Sequence, residues 1–252
     1  MPIILKPLTI YSWYGLIKQM RDPLPVSFYY TAAWKIFEKR FLLIFLLVLL
    51  IDIPLETVSN FFGPEAYSTI TRANFGKFLA SVFLVGISVA VLKNISLTAI
   101  VYLTSETFKQ KRGDLLNIVS FALKRWWIVS LTSLVSLVVV LALLVLGVIP
   151  GIIMMVLFSF VVQITVLEDK GFMAALKESV WLIKGHWWYV FKQILLIWFP
   201  LSLAMGLTSF GVEFIMKNLG LTTNFIPAFL TILIGYYGWI VFTLFYLSYR
   251  TK

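Results

Sequence analysis

The sequence predicts an all-α polytopic membrane protein, and its composition carries that prediction. Of the 252 residues, 61% are hydrophobic and only 13% are charged, against roughly 25% charged residues in an average soluble domain. The mean hydropathy is +0.96, although the net charge is +10. These values exclude a soluble nucleic-acid-binding protein, a secreted scaffold and a cytosolic enzyme. The absence of cysteine also excludes disulfides and thiolate metal sites.

Six segments are long and apolar enough to cross a hydrocarbon layer of roughly 30 Å, which takes about 20 helical residues. They are predicted at residues 37–57, 78–104, 126–146, 149–167, 187–208 and 227–249. An N-terminal segment, residues 1–36, precedes the first span and ends in an amphipathic stretch. We therefore expect a single integral membrane domain over residues 1–252.

The basic residues predict the orientation. Seventeen of the 21 Lys and Arg residues lie before the first span, between the second and third, between the fourth and fifth, or near the C-terminus, when Lys39, Arg40 and Lys192 in the first turns of two spans are counted with the adjoining segments. The other loops hold three, and Lys93 falls inside a span. Because cytoplasmic loops retain Lys and Arg, both termini are predicted to lie in the cytoplasm.

Each predicted cytoplasmic segment follows the same order of amphipathic stretch, basic residues, aromatic residues and next span. The three copies cover residues 27–41, 114–127 and 172–188, and they predict a three-fold repeat of helical hairpins. Such stretches are typical of helices that lie in the headgroup layer with their apolar side towards lipid. In the third copy, the predicted apolar side consists of Phe172, Leu176, Val180 and Ile183. The residues predicted to contact anionic headgroups are Lys124, Arg125, Trp126, Trp127, Lys177, Lys184, His186, Trp187 and Trp188.

The segment from Gly147 to Trp188 resembles a group of bacterial membrane proteins. It reads as Ile149-Pro150-Gly151, a hydrophobic helix, Glu168 and Gly171, Ala174-Ala175-Leu176-Lys177-Glu178-Ser179, and Lys184-Gly185-His186-Trp187. This order is similar to that of the membrane domain attached to some glycerophosphoryl diester phosphodiesterases and of stand-alone relatives. The resemblance implies a membrane fold in the bacterial plasma membrane. It implies no hydrolase activity, since the catalytic barrel of those enzymes has no counterpart here.

Two ionisable residues inside the predicted spans are functional candidates, because charges are costly there. Asp52 lies 12 residues beyond Arg40, and Lys93 lies 11 residues before Thr104. Both are therefore roughly 17 Å from the inner interface, at 1.5 Å per residue. This depth makes an Asp52–Lys93 ion pair reasonable, either as a packing contact or as a proton or substrate site. Alternatively, the two side chains extend towards opposite interfaces.

No catalytic residue, metal site or cofactor is predicted. His186 is the single histidine, and its place between Gly185 and Trp187 favours a headgroup contact. The predicted function is a non-enzymatic module that binds membrane lipids, a partner protein or a second copy of the chain, and nucleic acid is not expected.

Two alternatives remain for the function. The first is a transporter of a small molecule or lipid that uses Asp52 and Lys93. The second is a membrane enzyme acting on lipid headgroups, for which the available residues are Glu168, Asp169 and His186.

Overall fold

The computed structural model of the protein describes residues 24–62, 75–109, 114–218 and 225–250. Six helices in these residues are long and apolar enough to cross a membrane, which confirms the predicted six-helix membrane class. We number the helices as α1 Val26–Lys39, α2 Phe41–Ser59, α3 Phe75–Phe108, α4 Leu115–Leu146, α5 Val148–Leu167, α6 Phe172–Ile183, α7 Trp187–Asn218 and α8 Ile226–Arg250. Residues 1–23, most of the predicted N-terminal segment, lie outside the described part of the chain.

Helices α4 and α5 form a tight hairpin. Gly147 is the single residue between them. A Cβ atom added at Gly151 would collide with the side chain of Leu144. Glycine at position 151 thus lets the two helices approach closely beside the turn.

Three of the spans depart from regular α-helix geometry. Helix α2 contains a π-helical segment, Val48–Asp52, and α3 contains another, Ser81–Gly86. Helix α5 is interrupted at residues 158–160, between the α-helical segments Val148–Leu157 and Val161–Leu167. Because π-helical segments widen the helix locally, the first of them changes the direction of the side chains around Asp52.

The three predicted repeat copies have different structures. The first forms α1, which ends before Arg40, and the third forms α6, which ends before Lys184. The second copy runs without a break into its span, so that α4 is one helix of 32 residues. Gly185 adopts a φ of +92° after α6, a conformation that favours glycine and ends that helix.

Helix α1 packs on α8 with its apolar side. Its buried residues are Phe28, Tyr29, Ala32, Ala33 and Ile36. The hydroxyl groups of Tyr29 and Ser248 are 2.8 Å apart, and the Tyr237 hydroxyl donates to the carbonyl oxygen of Tyr30 at 2.9 Å. This side of α1 therefore contacts protein, whereas the sequence pattern predicts that it faces lipid.

Helix α6 also buries one side against the bundle. The buried residues are Ala175, Leu176, Ser179 and Ile183, whereas Phe172 of the predicted apolar side is exposed. The Ser179 hydroxyl donates to the carbonyl oxygen of Leu157 at 2.6 Å, next to the interruption in α5. The small residues Ala175 and Ser179 permit this close approach, and Leu176 and Ile183 of the predicted apolar side are buried beside them.

The interruption in α5 is held against α8 by aromatic packing. Phe160 is fully buried, and its ring centroid lies 5.3–5.7 Å from four rings of α8. These rings belong to Phe242, Phe245, Tyr246 and Tyr249. Offset aromatic contacts of this kind contribute about 1 kcal/mol each beyond burial.

Candidate functional site

Asp52 lies inside the bundle, where α2, α3 and α8 meet. Asp52 is 3% exposed, and its carboxylate accepts a hydrogen bond from the Tyr236 hydroxyl of α8. Ser96 of α3 faces both side chains and is itself buried. The Ser96 oxygen lies near both groups, but it forms no well-aligned hydrogen bond with any of the described residues. We call Asp52, Tyr236 and Ser96 the Asp52 cluster.

The structure corrects the predicted Asp52–Lys93 ion pair. Lys93 Nζ lies 2.6 Å from Glu56 Oε2, so that Glu56 is its ion-pair partner. Glu56 follows Asp52 by four residues and lies on the same side of α2, one turn further along. Asp52 is instead held by Tyr236, although the charge of Lys93 still acts on it.

Glu56 and Tyr236 are the residues that the sequence analysis missed at this site. A sequence signal existed for Glu56, because an acid four residues after Asp52 shares its helix face. No comparable signal singles out Tyr236 among the 11 tyrosines, because its role depends on the packing of α8 against α2.

A second charged group joins the ends of α5 and α8 to α6. Arg250 Nε lies 2.9 Å from Glu168 Oε1, and Arg250 Nη2 lies 2.7 Å from Glu178 Oε1. Lys170 Nζ bridges the same two acids, at 3.0 Å from Glu168 and 3.2 Å from Glu178. The Tyr246 hydroxyl donates to Glu168 as well. We call these five residues the Glu168 cluster.

The electrostatics of the Glu168 cluster favour its charged form. Burial by itself would raise the pKa of Glu168, but the hydrogen bonds from Tyr246 and Lys170 and the charge of Arg250 outweigh burial, so that the pKa is lowered. For Lys170, burial would lower the pKa, but the bonds to Glu168 and Glu178 raise it. The two acids and two bases therefore balance.

Glu168, Asp169 and His186, the residues available to an enzyme acting on lipid headgroups, are not arranged as one site. Glu168 is held by Tyr246, Lys170 and Arg250. Asp169 instead forms a salt bridge with Arg125 of α4. The exposed His186 ring meets Tyr249 edge-on, with the ring centroids 6.5 Å apart. Within the described residues, no group of three His, Cys, Asp or Glu side chains is arranged to hold a metal ion.

An apolar groove of about 510 Å³ lies between α4, α5 and α6. Lys177 and Trp181 line it from the same face of α6, and Lys184, the residue that follows α6, lines it as well. The apolar lining consists of Val135, Val139, Met154, Phe158, Met173, Leu176, Val180 and Trp181. We call this feature the lysine groove. It brings together two of the lysines predicted to contact lipid headgroups.

The remaining predicted headgroup residues lie in varied surroundings. Lys124, Trp127, His186 and Trp188 are exposed, and Trp126 is half-buried. Trp187 donates through Nε1 to the carbonyl oxygen of Ile153 at 3.2 Å. Arg125 is bound to Asp169 and is mostly buried. Arg125 and Trp187 are thus engaged with protein, whereas the exposed residues are accessible to lipid.

Comparison of the chain with protein-family models, with curated proteins and with solved structures finds no match in any of the three.

Proposed function

We propose that this integral membrane protein binds an anionic lipid in the lysine groove and acts by binding rather than by catalysis. The observation that carries the proposal is the pairing of an apolar groove with two exposed lysines at its wall. The volume of about 510 Å³ lies within the range of ligand-binding pockets. An acyl chain matches the apolar lining, and a phosphate matches the lysines.

Lys170, Lys177 and Lys184 follow one another at intervals of seven residues, and they differ in whether an acidic side chain neutralises them. Lys170 is bound to Glu168 and Glu178. Lys177 and Lys184 are exposed, and neither forms a salt bridge with an acidic side chain in the described part of the chain. Their positive charge is therefore available to an anionic headgroup, whereas that of Lys170 is neutralised within the protein.

The proposed orientation follows from the distribution of basic residues. With both termini in the cytoplasm of a bacterium, the segment between α5 and α7 faces the inner leaflet. Anionic lipids at that surface attract basic segments by about 1 kcal/mol per Lys or Arg. The proposed likeness to the membrane domain of some glycerophosphoryl diester phosphodiesterases rests on residues 147–188, which include α6 and its lysines.

The test is lipid retention measured by native mass spectrometry, with phosphatidylglycerol and phosphatidylcholine as probes. We expect preferential retention of phosphatidylglycerol, and binding at least about tenfold weaker in the Lys177→Gln/Lys184→Gln variant, because two charge-assisted contacts are lost. Lys124→Gln is the matched control for an exposed lysine outside the groove. An equal loss in this control would show nonspecific surface attraction and would contradict the proposal.

A second pair of variants tests whether the groove itself takes the acyl chain. Val139→Trp fills the groove without changing its charge, whereas Val138→Trp changes a neighbouring side chain that is 57% exposed and outside it. We expect weaker phosphatidylglycerol retention in the Val139 variant alone. Unchanged retention would place the lipid elsewhere.

Transport is the second candidate function, and the burial of Asp52 within a span favours it. Its test is substrate-dependent flux in proteoliposomes with wild-type protein and with Asp52→Asn. Flux that Asp52→Asn abolishes, and that the groove variants leave intact, would support transport over lipid binding.

A further inference from the structure

We propose that Asp52 reversibly binds a proton inside the bundle, at a site completed by the hydroxyl groups of Tyr236 and Ser96. The three side chains come from three different helices, and all are more than nine-tenths buried. This inference is independent of the lysine groove, whose lining is contributed by α4, α5 and α6.

The charged groups around Asp52 become neutral overall when one proton is bound. The titratable groups that act on Asp52 are Glu56 on its own helix, Lys93 on α3 and Tyr236 on α8. Lys93 is bound to Glu56, so its charge is already compensated. With both acids ionised, the group has a net charge of −1 within a membrane-spanning region, and protonation of Asp52 makes it neutral.

The hydrogen-bonding groups match both protonation states. The Tyr236 hydroxyl donates to the Asp52 carboxyl group. The Ser96 oxygen, without a well-aligned partner among the described residues, can accept the hydrogen of a protonated Asp52. When Asp52 is ionised, the Ser96 hydroxyl can rotate and donate instead. The Ser96 hydroxyl can therefore form a hydrogen bond to Asp52 in either protonation state, so neither state leaves it as a costly buried group without a partner.

The ligand set favours a proton over a metal ion. The cluster offers one carboxyl group and two hydroxyl oxygens, whereas Ca²⁺ takes six to eight oxygen ligands and Mg²⁺ requires an octahedral set.

Asp52 also ends the π-helical segment of α2, and such segments are frequent at functional sites.

The experiment is infrared difference spectroscopy of the full chain in proteoliposomes during a pH titration. The carbonyl stretching band of a protonated carboxyl group should appear on acidification and be absent in Asp52→Asn. Glu56→Gln is the matched control one helical turn away. It should retain the band but shift its appearance to a lower pH, because Lys93 is then released to stabilise ionised Asp52. A band lost in Glu56→Gln but kept in Asp52→Asn would assign the proton to Glu56 and overturn the proposal.

A milder variant keeps the proposal testable if Asp52→Asn does not fold. Tyr236→Phe removes a hydrogen bond donated to the carboxylate, so the band should persist to a pH higher by about one unit. An unchanged titration in this variant, or a band that responds to added Na⁺ or Mg²⁺ at constant pH, would overturn a proton site at Asp52. Lys177→Gln/Lys184→Gln should leave the band unaltered.

Discussion

The Asp52 cluster and the Glu168 cluster are built around the same contact, a carboxylate that accepts a hydrogen bond from a tyrosine of α8. The tyrosines are Tyr236 and Tyr246. In the Glu168 cluster, two basic side chains neutralise the charge of two acidic ones, and their salt bridges connect the ends of α5 and α8 to α6. At Asp52, the neighbouring base is occupied by Glu56. The two clusters thus differ in the number of cations available to the carboxylate, and the proposed proton site is the one without a cation of its own.

The largest expected effect is that of Glu168→Gln on stability. The change removes an acid that is bonded to Lys170, Arg250 and Tyr246, so we expect a loss of about 2 kcal/mol in the free energy of unfolding. The measurement is thermal unfolding in detergent followed by tryptophan fluorescence. Glu213→Gln, at an exposed carboxylate of α7, is the control and should change stability little.

The corresponding change in the Asp52 cluster is Asp52→Asn, and its effect on the free energy of unfolding is to be compared with that of Glu168→Gln. Although Asp52 is more deeply buried than Glu168, asparagine can still accept the Tyr236 hydrogen bond and removes a charge that lacks its own cation. Its cost should therefore be smaller than that of Glu168→Gln. An equal or larger cost would mean that the charge of Asp52 is structural, which would break the distinction between the two clusters.

An intermediate effect is expected at the Glu56–Lys93 ion pair. Its side chains are 29% and 39% exposed, so a double-mutant cycle with Glu56→Gln and Lys93→Met should give a coupling energy of about 1 kcal/mol. The same cycle with Asp52→Asn in place of Glu56→Gln should give a smaller coupling. A larger coupling to Asp52 would restore the ion pair predicted from the sequence.

The smallest expected effect is in the pH dependence of stability. Because the pKa of Glu168 is lowered in the folded protein, ionised Glu168 adds to the free energy of unfolding. This contribution is complete above the ordinary pKa of 4.5 and is lost as the pH falls through the lowered pKa of the folded state. Because the pKa of Lys170 is raised in the folded protein, protonated Lys170 also adds to the free energy of unfolding. This contribution is present below the ordinary pKa of 10.5 and is lost as the pH rises through the raised pKa of the folded state. Thermal unfolding measured against pH should therefore show a shallower acid decline in Glu168→Gln than in wild type.

The sequence predicted the membrane class because a lipid-embedded helix must be apolar over its length. It did not predict the partners of Asp52 and Lys93. Depth along two helices can be counted from residue numbers, but the choice between Asp52 and Glu56 depends on one helical turn and on the approach of α8. The contact of α6 with α5 was not predicted for a related reason, since the fit of Ala175 and Ser179 against α5 depends on local packing.

The interruption in α5 makes a contact of its own between two helical parts. The first part, Val148–Leu157, belongs to the hairpin with α4, and the interruption itself contacts α8 through Phe160. Phe158, two residues away, lines the lysine groove. The interruption therefore directs two neighbouring aromatic side chains to different surroundings, Phe158 to the groove and Phe160 to the contact with α8.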